Sequence, residues 1–337
     1  MRVALLAHER FPDDAKTALG ILRYAEHDVV AVLDRDAAGT RVNEHVPDVQ
    51  DAPIVSGIDA VDAPIDALIV GVAPIGGGFE PSWRPDVVGA LERGCDVIAG
   101  LHYFLAEDEE FARLADENDC ELRDVRKPPE DLTVSEDRAG EVDAEVILTV
   151  GTDCNTGKMT TTMELARAAA EAGHDAAVVP TGQTGIMIEG WGVPIDRTIS
   201  DFTAGAVERM ILEAGDDHDY LFVEGQGSIV HPAYSAVTCG ILHGAMADKL
   251  VLCHEAGREA IHGYEDFPLP PIETYVDRYE GLAAPVHETE VAAGALNTSA
   301  YDEAAALDAV DEFADAIDAP AADPIRQGVD DLLEVLL

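Results

Sequence analysis

Only four of the 337 residues are lysine (16, 127, 158 and 249), and 21 basic residues face 67 acidic ones, a net charge of −46. A chain so poor in positive charge has no basic face on which to hold a polyanion. Nucleic-acid binding through a generic electrostatic surface is therefore excluded. Cysteine is sparse too: the five (95, 120, 154, 239, 253) are odd in number, scattered and without a CxxC pair. That pattern excludes a disulfide framework and a cysteine zinc site, and it predicts a reduced, cytoplasmic setting. No hydrophobic run reaches the length of a membrane span, and the apolar start MRVALLAHE is too short for a signal peptide. The first β–α turn lacks GxGxxG, so a dinucleotide site there is unsupported.

The acids are spread along the chain rather than gathered in a tail. A dispersed acidic shell fits a protein working in concentrated salt, where screening removes the self-repulsion that would loosen the fold. The composition thus predicts a halophilic protein. Its length predicts two domains, each able to bury its own core.

The chain centres on Val146–Met163, VILTVGTDCNTGKMTTTM. An apolar β-type run leads into a loop with Gly151 and Gly157, then Lys158, then a helical pattern over Thr160–Ala172. Strand, glycine loop, lysine and helix are the parts of a phosphate-binding P-loop. The glycines let backbone N–H groups turn around an anion, the helix N-terminus adds a positive dipole end, and the lysine reaches phosphate oxygens. The loop departs from the strict pattern in two ways. Five residues (Thr152–Thr156) separate Gly151 from the Gly-Lys pair instead of four, and Met159 stands where a Ser or Thr hydroxyl would bind Mg²⁺. Thr160 and Thr161 are the nearest replacements. The GTDxxxGK variant resembles the loop of dethiobiotin synthetases. Gly151, Thr152, Asp153, Asn155, Gly157, Lys158 and Thr160 are the expected ligand-holding residues.

Strands are expected at Arg2–His8, Asp28–Leu33, Ala67–Val72 and Asp96–Gly100, with helices at Asp14–Ala25, Val87–Gly94 and about Glu107–Asn118. Lys127–Asp143 is acidic, proline-containing and aperiodic, and divides domain 1–130 from domain 144–337 with a linker over 131–143. The second half repeats the alternation: strands at Ala176–Val179, Tyr220–Val223 and Lys249–Cys253, with PTGQTGIMIEGWG read as a loop and Tyr301–Leu337 as an acidic helical tail that packs on this domain. The fold class is α/β, a Rossmann-like N-terminal domain plus a C-terminal P-loop NTPase-like domain, both with mainly parallel sheets.

Ligands of such sheets sit at the carboxyl ends of the strands. Glu224, directly after YLFV, stands where P-loop enzymes place the acid that handles Mg²⁺ or water. Gln183 and Thr184 offer hydrogen bonds from a glycine-flexed loop, or simply shape a turn. His231 and His254 are candidate acids or bases, or satisfied structural histidines. Arg258 is a candidate cation for a carboxylate or phosphate; Arg197 and Asp201 are a candidate structural pair. Gly76–Gly78 is either a second ligand loop or a flexible turn, and Lys16 could face the same edge. Cys154 is a candidate reactive thiol or a small filler.

GTDCNTGKMTT, PTGQTGIMIEGWGVPID, VEGQGSIVHPAYS and LCHEAGR, with AKTALGILRY and GVAPIGGG upstream, together resemble the D-glutamate N-acetyltransferases of D-amino-acid catabolism, a family long catalogued as a domain of unknown function. The resemblance runs end to end. It implies transfer of an acetyl group from acetyl-CoA to the amine of D-glutamate, a step feeding a racemase that acts on the N-acetylated product. Lys158 and the loop would hold the phosphates of acetyl-CoA, with no metal required. Glu224 or His231 would be the base and backbone N–H groups near Gly225–Gly227 the oxyanion site. Gln183, Thr184, Gln226, His254, Arg258, Arg197 and Lys16 would meet the substrate. Two other readings stay open: an ATP- and Mg²⁺-dependent carboxylate-activating ligase, with Asp153 and Glu224 on the metal, and a non-catalytic nucleotide-binding protein. The expected partners are small molecules, with neither nucleic acid nor membrane, and a homo-oligomer is compatible with the acidic tail.

Overall fold

A computed structural model describes residues 1–74 and 76–337; Ile75, inside the GVAPIGGG stretch, lies outside the described residues. The chain forms two compact units, Met1–Pro128 with Gln183–Pro194, and Pro129–Gly182 with Ile195–Leu337. The elements in chain order are β1 (Arg2–Leu6), α1 (Lys16–Tyr24), β2 (Asp28–Leu33), β3 (Ile54–Val55), β4 (Ala67–Val70), α2 (Arg84–Glu92), β5 (Asp96–Ala99), α3 (Glu109–Asn118) and β6 (Leu122–Asp124). There follow β7 (Glu145–Gly151), α4 (Lys158–Glu171), β8 (Ala176–Val179), α5 (Gln183–Glu189), α6 (Thr203–Gly215), β9 (Tyr220–Val223), α7 (Ser235–Ala245) and β10 (Lys249–Glu255). The chain closes with β11 (Ala260–Ile261), β12 (Tyr264–Pro268), α8 (Ile272–Ala283), β13 (Glu290–Asn297), α9 (Glu303–Ile317), β14 (Ala321–Ala322) and α10 (Asp330–Leu336).

The first unit is a parallel sheet ordered β3-β2-β1-β4-β5-β6. Its central strands β1, β4 and β5 are apolar and largely buried on both faces, as a sheet covered by helices on each side requires. The order reverses direction between β1 and β4, the arrangement of Rossmann-like domains. The segment expected as a loop, PTGQTGIMIEGWG, contains α5. Its Ile186 and Met187 are buried in the first unit's core. Gly182 and Gly190 bracket an apolar turn of helix, and the gain from burying it outweighs the flexibility of the flanking glycines.

The second unit carries a parallel sheet ordered β14-β13-β10-β7-β9-β8. β7 is central, and the chain crosses to either side of it, so the loop after β7 stands at the switch of strand order where ligands collect. β13 (EVAAGALN) has only alanine and glycine at its centre, Ala292–Ala295. A Cβ on Gly294 would lie 2.5 Å from Ile317 and 2.7 Å from Phe313, so the missing side chain is what lets α9 sit on the strand. The acidic stretch read as a linker is fastened to α6. Glu208 accepts hydrogen bonds from Ser135 Oγ (2.8 Å), Glu136 N (2.7 Å) and Arg138 N (2.6 Å). Among the described residues no helix is long and apolar enough to cross a membrane.

Candidate active site

The second unit's loop between β7 and α4 has the turns that a phosphate cradle needs. Asn155 and Gly157 adopt left-handed backbone conformations (φ +57° and +97°), the second at the residue that caps α4. A Cβ on Gly151 would stand 2.7 Å from Lys158 Nζ and 2.9 Å from Thr156 Oγ1, so only glycine leaves the lysine its place. Lys158 is buried, and its Nζ donates to the Asp153 carbonyl at 2.7 Å, folded over the loop it would share with a phosphate. Phosphates fit this cradle: a helix N-terminus, turned backbone and a buried ammonium meet at one place.

Asp153 is completely buried and anchors the loop. Its Oδ1 accepts the Cys154 N–H (2.7 Å), and its Oδ2 accepts the His262 N–H (2.7 Å) and Arg258 Nη1 (3.0 Å). Arg258 also donates to the Cys154 carbonyl (2.5 Å) and bonds Glu255. The guanidinium expected to meet a ligand anion is thus clamped between two carboxylates of the protein. Oxygen, sulfur and nitrogen atoms of Asp153, Cys154 and His231 lie within 4.8 Å of one another, the one grouping of metal-ligand type among the described residues. Arg258 on the same carboxylate opposes a cation there.

The other strand ends close round the loop. At the end of β10, His254 Nδ1 lies 2.8 Å from Thr152 Oγ1, and its ring stacks on Phe313 at 5.7 Å. Burial, helped by the nearby Arg258 charge, holds His254 down at about 4, so the ring is neutral at pH 7. After β9, the buried Glu224 carboxylate accepts the Gly182 N–H (3.0 Å) and Thr181 N–H (3.3 Å) from the end of β8. Gly225 is obligatory, since a Cβ there would lie 1.7 Å from the Thr149 carbonyl. Its N–H donates to Thr149 Oγ1 (3.1 Å), which corrects the expectation that it serves an oxyanion: that donor is spent inside the fold. Gln226 is spent likewise, its Nε2 donating to the Thr181 carbonyl at 2.6 Å.

His231 is 1% exposed. Its Nδ1 accepts the Ala233 N–H (3.1 Å), which puts the proton of the neutral ring on Nε2. That Nε2 has no hydrogen-bond partner among the described residues and lies 4.0 Å from Asp153 Oδ1. Rings of Tyr234 and Tyr264 pack on it at 4.6 and 5.3 Å. The ring is therefore a donor aimed at the phosphate loop.

Each of the other expected site residues has its own setting within its unit. Thr160 is half-buried on the first turn of α4, where Thr162 Oγ1 donates to the Lys158 carbonyl (2.9 Å). Arg197 and Asp201 are exposed in the second unit. Gln183 and Thr184 belong to the first unit, where Gln183 Oε1 accepts Arg126 Nη2 (2.7 Å) and Thr184 meets Thr17 (2.9 Å between hydroxyls). Lys16 is exposed at the start of α1, also in the first unit. Gly77, of the triple glycine, has φ +61° and faces His102, which a Cβ would strike at 2.3 Å.

Tyr279 and Ser228 were not legible as site residues. The fully buried Tyr279 hydroxyl donates to the Gly151 carbonyl (2.7 Å) and accepts the Ile229 N–H (3.1 Å), and burial pushes its ionisation well above the ordinary range. Ser228 Oγ donates to the Thr152 carbonyl (2.9 Å). The i, i+4 pair Tyr275 and Tyr279 announces a buried helix face, but no sequence signal says that the face looks at the phosphate loop.

Residues 35–128 match the family described as a domain of unknown function, the DUF1611_N Rossmann-like domain, and residues 133–333 match the DUF1611_C P-loop domain. A crystal structure of a DUF1611 family protein from Anabaena variabilis superposes with a TM-score of 0.94 at 37% identity, over 99% of this chain and 98% of that one. A D-glutamate N-acetyltransferase of Tritonibacter scottomollicae is 33% identical over 96% of this chain and 94% of its own length. A second protein of that name, from a Pseudoalteromonas species, is 34% identical over 79% of this chain and 80% of its own.

Proposed function

We propose that this chain, which belongs to the DUF1611 family, is an N-acyltransferase that moves the acetyl group of acetyl-CoA to the amine of D-glutamate. The observation that carries the reading is similarity along 96% of the chain to a relative named for that activity. The site supports it. A cradle built on Gly151 and Lys158 suits the phosphates of coenzyme A. The position after the lysine holds the buried Met159, and Asp153 is committed to Arg258. Both features favour a phosphate held by protein donors over the Mg²⁺-dependent ligase.

In such a transfer the amine nitrogen bonds to the thioester carbon, the carbon–sulfur bond breaks, and the coenzyme leaves as a thiolate that takes up a proton. The ammonium group must first lose a proton. Glu224, held by two backbone N–H groups beside the loop, is the base in this account. His231, whose neutral ring carries its proton on Nε2, is the donor to the developing negative charge.

The test is calorimetric titration with acetyl-CoA and with ATP, each with and without Mg²⁺. Metal-independent binding of acetyl-CoA is expected. Tight Mg²⁺-ATP binding without coenzyme A affinity would move the ligase to the front.

A further inference from the structure

A cavity of about 290 Å³ opens in the second unit, away from the catalytic candidates, lined by Thr298, Ala306, Leu307, Val310, Arg326 and Gln327 among others. We propose that it holds the purine base of the phosphate-bearing ligand, which is the adenine of coenzyme A if the acetyltransferase reading is right. Position is the first argument. Thr298 directly follows β13, and the loop from Asp323 directly follows β14. All strands of this sheet are parallel, so the cavity and the phosphate loop share its carboxyl edge. In the order β14-β13-β10-β7, β13 lies two strands from β7. Two strand spacings come to about 10 Å, a gap of the order that a ribose bridges between phosphate and base.

The chemistry of the walls agrees. Ala306, Leu307 and Val310, on the first turns of α9, form an apolar wall of the kind a flat heterocycle covers. Leu307 is 50% exposed, and a base in the cavity would cover it. The opposite wall is polar and rigid. Buried Asp323 ties the two strand ends together: its Oδ2 accepts the Thr298 N–H (3.0 Å), and its Oδ1 accepts the N–H groups of Ile325 (2.9 Å) and Arg326 (3.1 Å). Gln327 Oε1 accepts the Asp323 N–H (2.7 Å), which fixes the amide at the wall. Arg326 Nη2 is held by the Tyr301 carbonyl at 2.7 Å. The cavity is thus preformed, with a few placed polar groups opposite an apolar face.

The test uses the full chain, an 8-azidoadenine analogue of coenzyme A, and two variants, Leu307→Trp at the rim and Ala306→Phe in the wall. Photolabelling of the wild type should fall on the peptides spanning 298–310 or 323–327; labelling confined to other peptides overturns the proposal. In the variants acetyl-CoA and ADP should bind about tenfold more weakly or worse, while inorganic pyrophosphate binds as before and acetylated phosphopantetheine is turned over as by the wild type. Undiminished acetyl-CoA affinity in a folded variant also overturns it. The photolabel decides the matter should both variants fail to fold. A wild type that binds ADP or ATP but not acetyl-CoA, and labels at these peptides with an azido-ADP, retains the base site while the acetyltransferase reading falls. A wild type that binds no adenine compound removes both.

Discussion

Replacing Arg258 with Met isolates the ion pair that holds the phosphate loop in shape. The Asp153 side chain is wholly inaccessible and that of Arg258 is 15% exposed, with Nη1 3.0 Å from Oδ2. At that spacing and an effective dielectric near 20, the attraction is of the order of 5 kcal/mol. The variant keeps the Asp153 carboxylate buried with only two backbone donors, the N–H groups of Cys154 and His262. Removing one partner of a buried pair costs about 3–5 kcal/mol, and the two remaining donors place the expected loss near the lower end, about 3 kcal/mol. Asp153→Asn in the same background removes the stranded charge and should restore all but about 1.5 kcal/mol, because Asn still accepts the His262 N–H. Urea unfolding of wild type, both single variants and the double variant at pH 7 closes the cycle. A loss below about 1 kcal/mol for Arg258→Met, or a double variant equal to the sum of the singles, would refute the view that Arg258 serves the loop rather than the ligand.

Three further outcomes follow from the same geometry. Tyr279→Phe strands the Gly151 carbonyl and the Ile229 N–H and should cost about 2–4 kcal/mol in urea unfolding; a change within error would mean the hydroxyl is not part of the loop's support. Glu224→Gln preserves the acceptor for Thr181 and Gly182 and removes the base, so kcat for acetyl transfer should fall by about 10²–10⁴ with the melting temperature intact, and unchanged turnover would take Glu224 out of the mechanism. His254 is held at about 4 against an ordinary value of 6.5, so the unfolded chain takes the proton first. Its contribution is fully present above about 6.5 and is lost as the pH falls to about 4, a change of about 3 kcal/mol; comparing His254→Asn with wild type between pH 7.5 and 4.5 checks this, and parallel curves would contradict it.

Much of the second unit could be read from its residues. The apolar runs Ala176–Val179 and Tyr220–Val223 form strands with those bounds, and the glycine loop with Lys158 announces the site. The fold class of both units also stands. What was not legible depends on tertiary context. β13 hides because alanine and glycine carry little strand propensity, and its identity comes from α9 pressing on Gly294. α5 hides between glycines, where the pull of the first unit's core decides the conformation. At the site, residue types were readable but partners were not. Arg258 looks like a ligand cation until the carboxylates of Asp153 and Glu255 are seen around it. Gly225 looks like an oxyanion donor until its N–H is found on Thr149. The tautomer of His231 is set by a backbone N–H two residues away, which no pattern of residue types records.

The most direct test of the central claim is release of free coenzyme A thiol from acetyl-CoA in the presence of EDTA, with D-glutamate or L-glutamate as acceptor and mass spectrometry of the product. The account predicts thiol and N-acetyl-D-glutamate in equal amounts, with the D-enantiomer preferred. No thiol release with D-glutamate, together with phosphate release from Mg²⁺-ATP, would contradict it.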